Sequence, residues 1–266
     1  VGVDNIDVDE ATRRGVLVAN APTSNTIAAA EHTMALMLSL ARHVPRADAS
    51  LKAGSWNRSQ FIGTELRGKT LGIIGLGKVG SEVIRRAKAF EMKTIAHDPF
   101  VSDQHAQHLG VDVVDMDVLL SKSDFISVHV PLTSSTDKLI GPRELKMVKP
   151  TVRIINAARG GVIDEQALCE AVERGKVAGA AIDVFAEEPA TKSSLLKSDR
   201  IIVTPHLGAS TEEAQANVAI EVAEQVLAVL KGRPAQYAVN APMVLPETLA
   251  LLAPFVQVGH MIGKAI

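Results

Sequence analysis

The segment Gly75-Leu76-Gly77-Lys78-Val79-Gly80 constrains this chain more than any other. It follows an apolar run, Leu71–Ile74, and opens an amphipathic stretch, Lys78–Phe90. In such a turn the first glycine permits a sharp passage from strand to helix, and the second lets backbone approach a ligand. The third lets the helix lie close to the strand. A helix start leaves N–H groups unpaired and carries partial positive charge, so the turn suits a pyrophosphate. The next apolar segment, Lys93–His97, ends at Asp98, one helix and one strand beyond Gly80. A dinucleotide-binding βαβ unit places there the acid that accepts hydrogen bonds from the adenosine ribose. A carboxylate at this point repels a 2′-phosphate, and the following Pro99-Phe100 offers no arginine to hold one. NAD is therefore expected over NADP.

The rest of the chain repeats the strand–helix alternation. Candidate strands are Val16–Ala19, Thr70–Gly75, Lys93–His97, Val111–Val114, Phe125–His129, Val152–Asn156, Ala178–Val184 and Ile201–Thr204. They are short, rich in Val and Ile and without clean polar alternation, as strands buried on both faces of a parallel sheet read. Asp164–Arg174 and Thr211–Lys231 read as helices between or after them, and Pro246–Ile266 as a further one. Asp164 precedes Glu165 and Gln166 as an N-cap, and Gly175 follows Arg174 as a stop. The expected fold is α/β, a doubly wound parallel sheet with right-handed crossovers. Pro234 and Pro242 bracket a linker.

Charge and composition exclude several classes. Lys plus Arg number 28 against 30 Asp plus Glu, a formal charge of -2. That balance argues against binding to nucleic acid or a membrane surface, which needs clustered cations. Aromatic residues are 3% of the chain, too few for base-stacking surfaces. No apolar run reaches the ~18 residues of a membrane span. The single cysteine, Cys169, lies in an apolar helix stripe; it excludes an internal disulfide and fits a reducing compartment. His105 and His108 have a metal-like spacing but no third ligand, and read as a solvated face; no metal site is expected. His97 and His129 end strands and read as packing residues. His32, His43 and His260 sit in helical patterns without an evident partner. The helix Thr26–Arg42 is apolar on several sides, which implies burial in a domain core or between subunits. Trp56 reads as a loop residue that packs or anchors a subunit contact.

Three strand ends carry chemistry. Asn156-Ala157-Ala158-Arg159-Gly160-Gly161 follows one strand, Asp183-Val184-Phe185-Ala186-Glu187-Glu188-Pro189 a second and Pro205-His206-Leu207-Gly208 a third. Residues just past strand C-termini face the ligand crevice of a doubly wound sheet. An arginine there can hold a carboxylate with a two-pronged hydrogen bond. A histidine can exchange a hydroxyl proton, with a carboxylate partner to orient it and stabilise its charged form.

These motifs, in this order with the glycine turn, resemble the D-isomer-specific 2-hydroxyacid dehydrogenase family from Val1 to about Ala241. The resemblance implies that Arg159 binds substrate, Glu188 partners the histidine and His206 is the catalytic acid/base. It implies cofactor contacts at Gly75, Gly77, Lys78, Val79, Gly80 and Asp98, and at Val130, Ala157, Asp183 and Gly208 around the nicotinamide or adenosine. Val130 and Ala157 carry neither hydroxyl nor thiol, so contacts there would run through backbone. The implied activity is NAD-dependent oxidation of a small 2-hydroxy acid, 3-phosphoglycerate, in serine biosynthesis. The alternatives are a glyoxylate or hydroxypyruvate reductase and an NAD-gated corepressor-like binding module. It also implies a homodimer or higher homo-oligomer located in the cytoplasm, or in the plastid stroma of a photosynthetic eukaryote. Residues 1–21 are expected to end a flavodoxin-like substrate domain whose upstream part is missing, 22–209 to form the NAD-binding domain, 210–241 to return to the substrate domain and 242–266 to begin a further domain.

Overall fold

The structure, a computed structural model, describes residues 2, 3, 5–241 and 246–265; Val1, Pro242 and Ile266, which bound segments expected above, lie outside them. The chain divides into two compact units, Val1–Ser24 with Ala216–Ile266, and Asn25–Gln215.

The larger unit holds a seven-stranded sheet: β1 (Thr70–Ile74), β2 (Lys93–His97), β3 (Asp112–Val113), β4 (Phe125–Val128), β5 (Arg153–Asn156), β6 (Gly179–Ile182) and β7 (Ile201–Val203). The order is β3-β2-β1-β4-β5-β6-β7, and every pairing is parallel. Apolar residues on both faces of each central strand explain why the sequence shows no polar alternation. Leu71, Ile73, Phe125, Ile155 and Ala181 point into a core with the helices Thr26–Arg42 and Lys78–Ala89. Ile74, Ile126, Val128, Ile154 and Ile182 point into a second core with the helices Met116–Lys122 and Glu165–Glu173. Cys169 is buried in that second core. The Asp164 side chain accepts the Ala167 N–H at 3.0 Å, the N-cap read from sequence.

The apolar Thr26–Arg42 helix is accounted for by this core. Ala30, Met37 and Ala41 are fully buried within the unit, so the domain itself covers most of the helix without a second subunit. The following helix, Val44–Lys52, buries no residue. Beyond it Trp56 is 75% exposed and Ile62 79%.

In the smaller unit the expected strand Val16–Ala19 does not form. Ala19 makes one isolated antiparallel bridge to Ala238, too little to extend a ladder. Two backbone bonds, Asn20 N–H to the Tyr237 carbonyl and Val239 N–H to the Val18 carbonyl, make this bridge, and side chains add to it. Buried Gln225, on the helix Glu212–Leu230, donates to the Asn20 carbonyl at 2.7 Å and accepts the Tyr237 N–H at 2.9 Å. Asn240 Oδ1 accepts the Val18 N–H at 2.8 Å.

Candidate active site

Strand order reverses between β1 and β4, and the crevice at their C-terminal ends is where a doubly wound sheet binds ligands. The glycine turn is built for that place. Gly75 has φ +97, and a side chain there would lie 2.6 Å from the His129 carbonyl oxygen and 2.8 Å from Val130 Cγ1. A Cβ on Gly80, in the first turn of the helix, would lie 2.1 Å from the Gly75 carbonyl oxygen, so the helix can pack this closely on the turn only with a glycine there. A Cβ on Gly77 would meet nothing within 4 Å and would project into open space, the cradle a pyrophosphate would fill. Lys78 and Val79 open the helix behind it. The residues present thus fit a dinucleotide.

Asp98 holds the rim of this crevice. Its Oδ2 accepts the Leu76 N–H at 2.7 Å and its Oδ1 accepts the Phe100 N–H at 2.9 Å. Two amides tie the carboxylate in place, and each oxygen keeps capacity for a hydroxyl donor. A groove of about 660 Å³ beside it is lined by Gly77, Lys78, Ser81, Arg85, Phe100 and His105. His105 is exposed, as expected of a solvated face, and it also lines this groove, its Nε2 3.1 Å from Ser81 Oγ. Neither was read from the sequence as a groove residue: Ser81 could have been found three residues beyond Lys78 on the same helix, whereas His105 comes from another helix.

A second group forms where β5, β6 and β7 end side by side. Asn156 folds the loop after β5, donating to the Arg159 carbonyl at 2.9 Å and accepting the Ala158 N–H at 3.0 Å. Gly160 packs so closely on the next loop that a Cβ would lie 1.8 Å from the Phe185 carbonyl oxygen. Glu188 Oε1 accepts the Phe185 N–H at 3.0 Å, which leaves Oε2 against His206 Nδ1 at 2.8 Å. A carboxylate only accepts, so Nδ1 carries the hydrogen and Nε2 is the lone-pair nitrogen of the neutral ring. A cleft of about 630 Å³ adjoins this pair, walled by Phe185, Pro189, Leu196, Val203 and Pro205.

Asp183, expected to line the nicotinamide pocket, is fully buried beneath the His206 turn. Its carboxylate accepts the Thr204 hydroxyl at 2.6 Å and the Leu207 and Gly208 N–H groups, each at 2.8 Å. His32 Nε2 lies 3.1 Å from its Oδ1, a partner that sequence reading missed. Burial would raise the Asp183 pKa, but the hydrogen bonds from His32, Thr204 and Leu207 outweigh it and hold the carboxyl below its usual value. His129 Nε2 lies 2.8 Å from Ser127 Oγ, and burial pushes the ring pKa down to about 4. His97 Nδ1 donates to the Val114 carbonyl at 3.0 Å. Among the described residues no group of three or more His, Cys, Asp or Glu side chains could hold a metal ion.

The profile of a family described as D-isomer specific 2-hydroxyacid dehydrogenase, NAD binding domain, matches residues 34–208. The chain belongs to this family. A D-3-phosphoglycerate dehydrogenase of Synechocystis sp. is 53% identical over 266 residues, 100% of this chain and 48% of that protein. One from Bacillus subtilis is 49% identical over 266 residues, 100% of this chain and 51% of that protein. The chain thus spans about half the length of the curated relatives it matches. Among solved structures, a glyoxylate reductase from Paecilomyes thermophila superposes with a TM-score of 0.83 at 36% identity, covering 90% of this chain and 73% of that one. D-lactate dehydrogenase from Aquifex aeolicus, solved with NAD and lactic acid, gives 0.82 at 32%, covering 91% and 78%. The doubly wound sheet of this chain is therefore an NAD-binding domain of this family. Within that family fold, the glycine turn and the β5–β7 loops lie on one edge of one sheet. No helix among the described residues is long and apolar enough to cross a membrane.

Proposed function

We propose that the protein carrying this chain oxidises D-3-phosphoglycerate to 3-phosphohydroxypyruvate with NAD, the first step of L-serine synthesis. The observation that carries the reading is the 2.8 Å His206–Glu188 pair at the crevice edge. The chain around it is about half identical, over its whole length, to D-3-phosphoglycerate dehydrogenases. His206 Nε2 takes the proton of the C2 hydroxyl, and Glu188 orients the ring and stabilises the imidazolium that results. Arg159 holds the substrate carboxylate and polarises the C2 oxygen. The Gly75–Gly80 turn and Asp98 hold the dinucleotide, with Val130, Ala157 and Gly208 around its ring-bearing half. When bound, NAD supplies the hydride acceptor.

The half of the relatives' length not spanned here would complete the substrate site, with residues 1–21 and 210–241 belonging to that substrate-binding half. The exposed Trp56 and Ile62, beside a helix that buries nothing, support a homodimer built on that arm. Relatives include bacterial and chloroplastic proteins, which supports the cytoplasm or the plastid stroma as its location.

The test is NADH formation by the full-length protein with D-3-phosphoglycerate, D-glycerate and D-lactate, and NADH consumption with glyoxylate and hydroxypyruvate. A preference for 3-phosphoglycerate that falls about 10²- to 10⁴-fold in His206→Gln, with NADH affinity retained, is the expected result. A preference for glyoxylate would favour the reductase, which the 36% identical solved structure makes the second reading. NAD binding without turnover on any of these acids would favour the corepressor-like module.

A further inference from the structure

We propose that His32 is a positioning residue, which holds Asp183 so that Asp183 fixes the backbone turn on which His206 stands. This rests on the reading of His206 as the acid/base. Three consecutive amides of that turn end on the one residue. The Asp183 carbonyl accepts the His206 N–H at 2.8 Å, and its carboxylate accepts those of Leu207 and Gly208. The turn needs holding, because His206 has φ +57, in the left-handed region that non-glycine residues avoid. A displacement of about 1 Å in a catalytic group can cost ~10²-fold in rate. The anchor therefore decides where the imidazole sits against Glu188.

The anchor itself has to be satisfied. Asp183 is fully buried and ionised, and a buried carboxylate is stable only with donors on it. Backbone and Thr204 supply three; the fourth is His32, reaching in from the Thr26–Arg42 helix. Since Asp183 only accepts, His32 Nε2 bears a hydrogen. The same nitrogen lies 3.3 Å from Thr204 Oγ1, whose own hydrogen is committed to Asp183 at 2.6 Å. The ring thus closes a triangle under β7 and pins both Asp183 and the residue two before His206. Without it the carboxylate keeps three donors, so the fold survives, but it is free to turn on its side-chain bonds.

What His32 contributes here is a donor, and a neutral donor serves. His32→Gln keeps an N–H in reach; His32→Leu keeps the bulk and removes the donor. Two readouts apply to the full-length protein. Hydrogen exchange of the 204–208 segment, which needs no turnover, should speed up about tenfold in the Leu variant and stay near the parent in the Gln variant. In turnover, the Leu variant should lose on the order of 10- to 100-fold in kcat, with KM and NADH affinity within about threefold, and Gln should restore most of it. The primary deuterium isotope effect at C2 should rise in the Leu variant as the chemical step becomes limiting. Equal exchange in the parent and the Leu variant, or Leu and Gln behaving alike, overturns the proposal. So does a loss shared equally by kcat, NADH affinity and the thermal midpoint, which would mark a packing role. If His206→Gln keeps full activity, the acid/base reading fails, while the exchange result still decides whether His32 and Asp183 hold the turn.

Discussion

Acid should destabilise this protein through His129 in a way that can be separated from its carboxylates. Burial lowers the ring from its ordinary 6.5 to about 4 in the folded state. The unfolded chain therefore binds a proton below about pH 6.5 that the folded chain refuses until about pH 4. Between those values unfolding takes up a proton, so stability falls as pH falls, by about 1.4 kcal/mol per unit. From pH 7 to pH 4.5 the cost is about 2–3 kcal/mol, and it levels off near 3 kcal/mol below pH 4. Asp183 and Asp124 have lowered pKa values, and their stabilising effect is lost only as pH falls below the carboxylate value of 3.8, outside this window. His43, also lowered by burial and by Arg46, is unchanged by a substitution at 129. His129→Gln keeps a polar group for the Ser127 hydroxyl and removes the titration. Urea unfolding followed by far-UV circular dichroism at pH 7 and 4.5 should show the parent losing about 2–3 kcal/mol more than the variant. Equal losses in the two proteins would refute the reasoning.

Other substitutions test the remaining parts. Asp98→Asn keeps the shape, drops the charge and leaves one of the Leu76 and Phe100 amides facing an NH2 group, so discrimination against NADP should fall by about 1–3 kcal/mol, read from the ratio of NADH and NADPH affinities, in which a loss shared by both cofactors cancels. An unchanged ratio would mean the carboxylate does not face the ribose. Gly160→Ala sets a methyl group on the Phe185 carbonyl and should destabilise by about 3 kcal/mol or more, measured by the urea midpoint; a cost below about 1 kcal/mol would show that the two loops can part freely. Trp56→Glu puts a charge on the exposed segment after the Val44–Lys52 helix, and sedimentation velocity at micromolar concentration should show the homodimer proposed above in the parent and monomer in the variant; a dimer undisturbed by the change places the interface elsewhere, and a monomeric parent removes it.

What could be read from the sequence was local. The Leu71–Ile74 run, the glycines after it and Asp98 lie within a single strand–helix–strand stretch, and each signals its own backbone requirement. That a carboxylate and His206 come together was readable because both follow strands that a parallel sheet sets side by side, while the choice of Glu188 among Asp183, Glu187 and Glu188 came from the family resemblance. The misses are long-range. His32 meets Asp183 with six strands of the sheet between them in sequence, and helical periodicity says only that a histidine interrupts an apolar face. A polar residue inside that face, together with an aspartate closing the wholly apolar run Gly179–Ile182, was the available signal of two buried groups in need of each other. Val16–Ala19 failed as a strand for the converse reason. Its apolar residues have the right propensity, but its backbone finds one bridge, to Ala238 near the other end of the chain.

The division of the chain into units has an evolutionary consequence. Residues 25–215 leave and rejoin the smaller unit at neighbouring points, since Thr23 and Ser24 hydrogen-bond the Glu221 carboxylate. A segment whose two ends meet is a portable cassette: it can be cut out, or moved into another host at one surface loop, with little cost in linker entropy. Recombination could therefore exchange the surrounding unit around an unchanged nucleotide-binding insert, so that new variants arise by changing the host rather than the cassette.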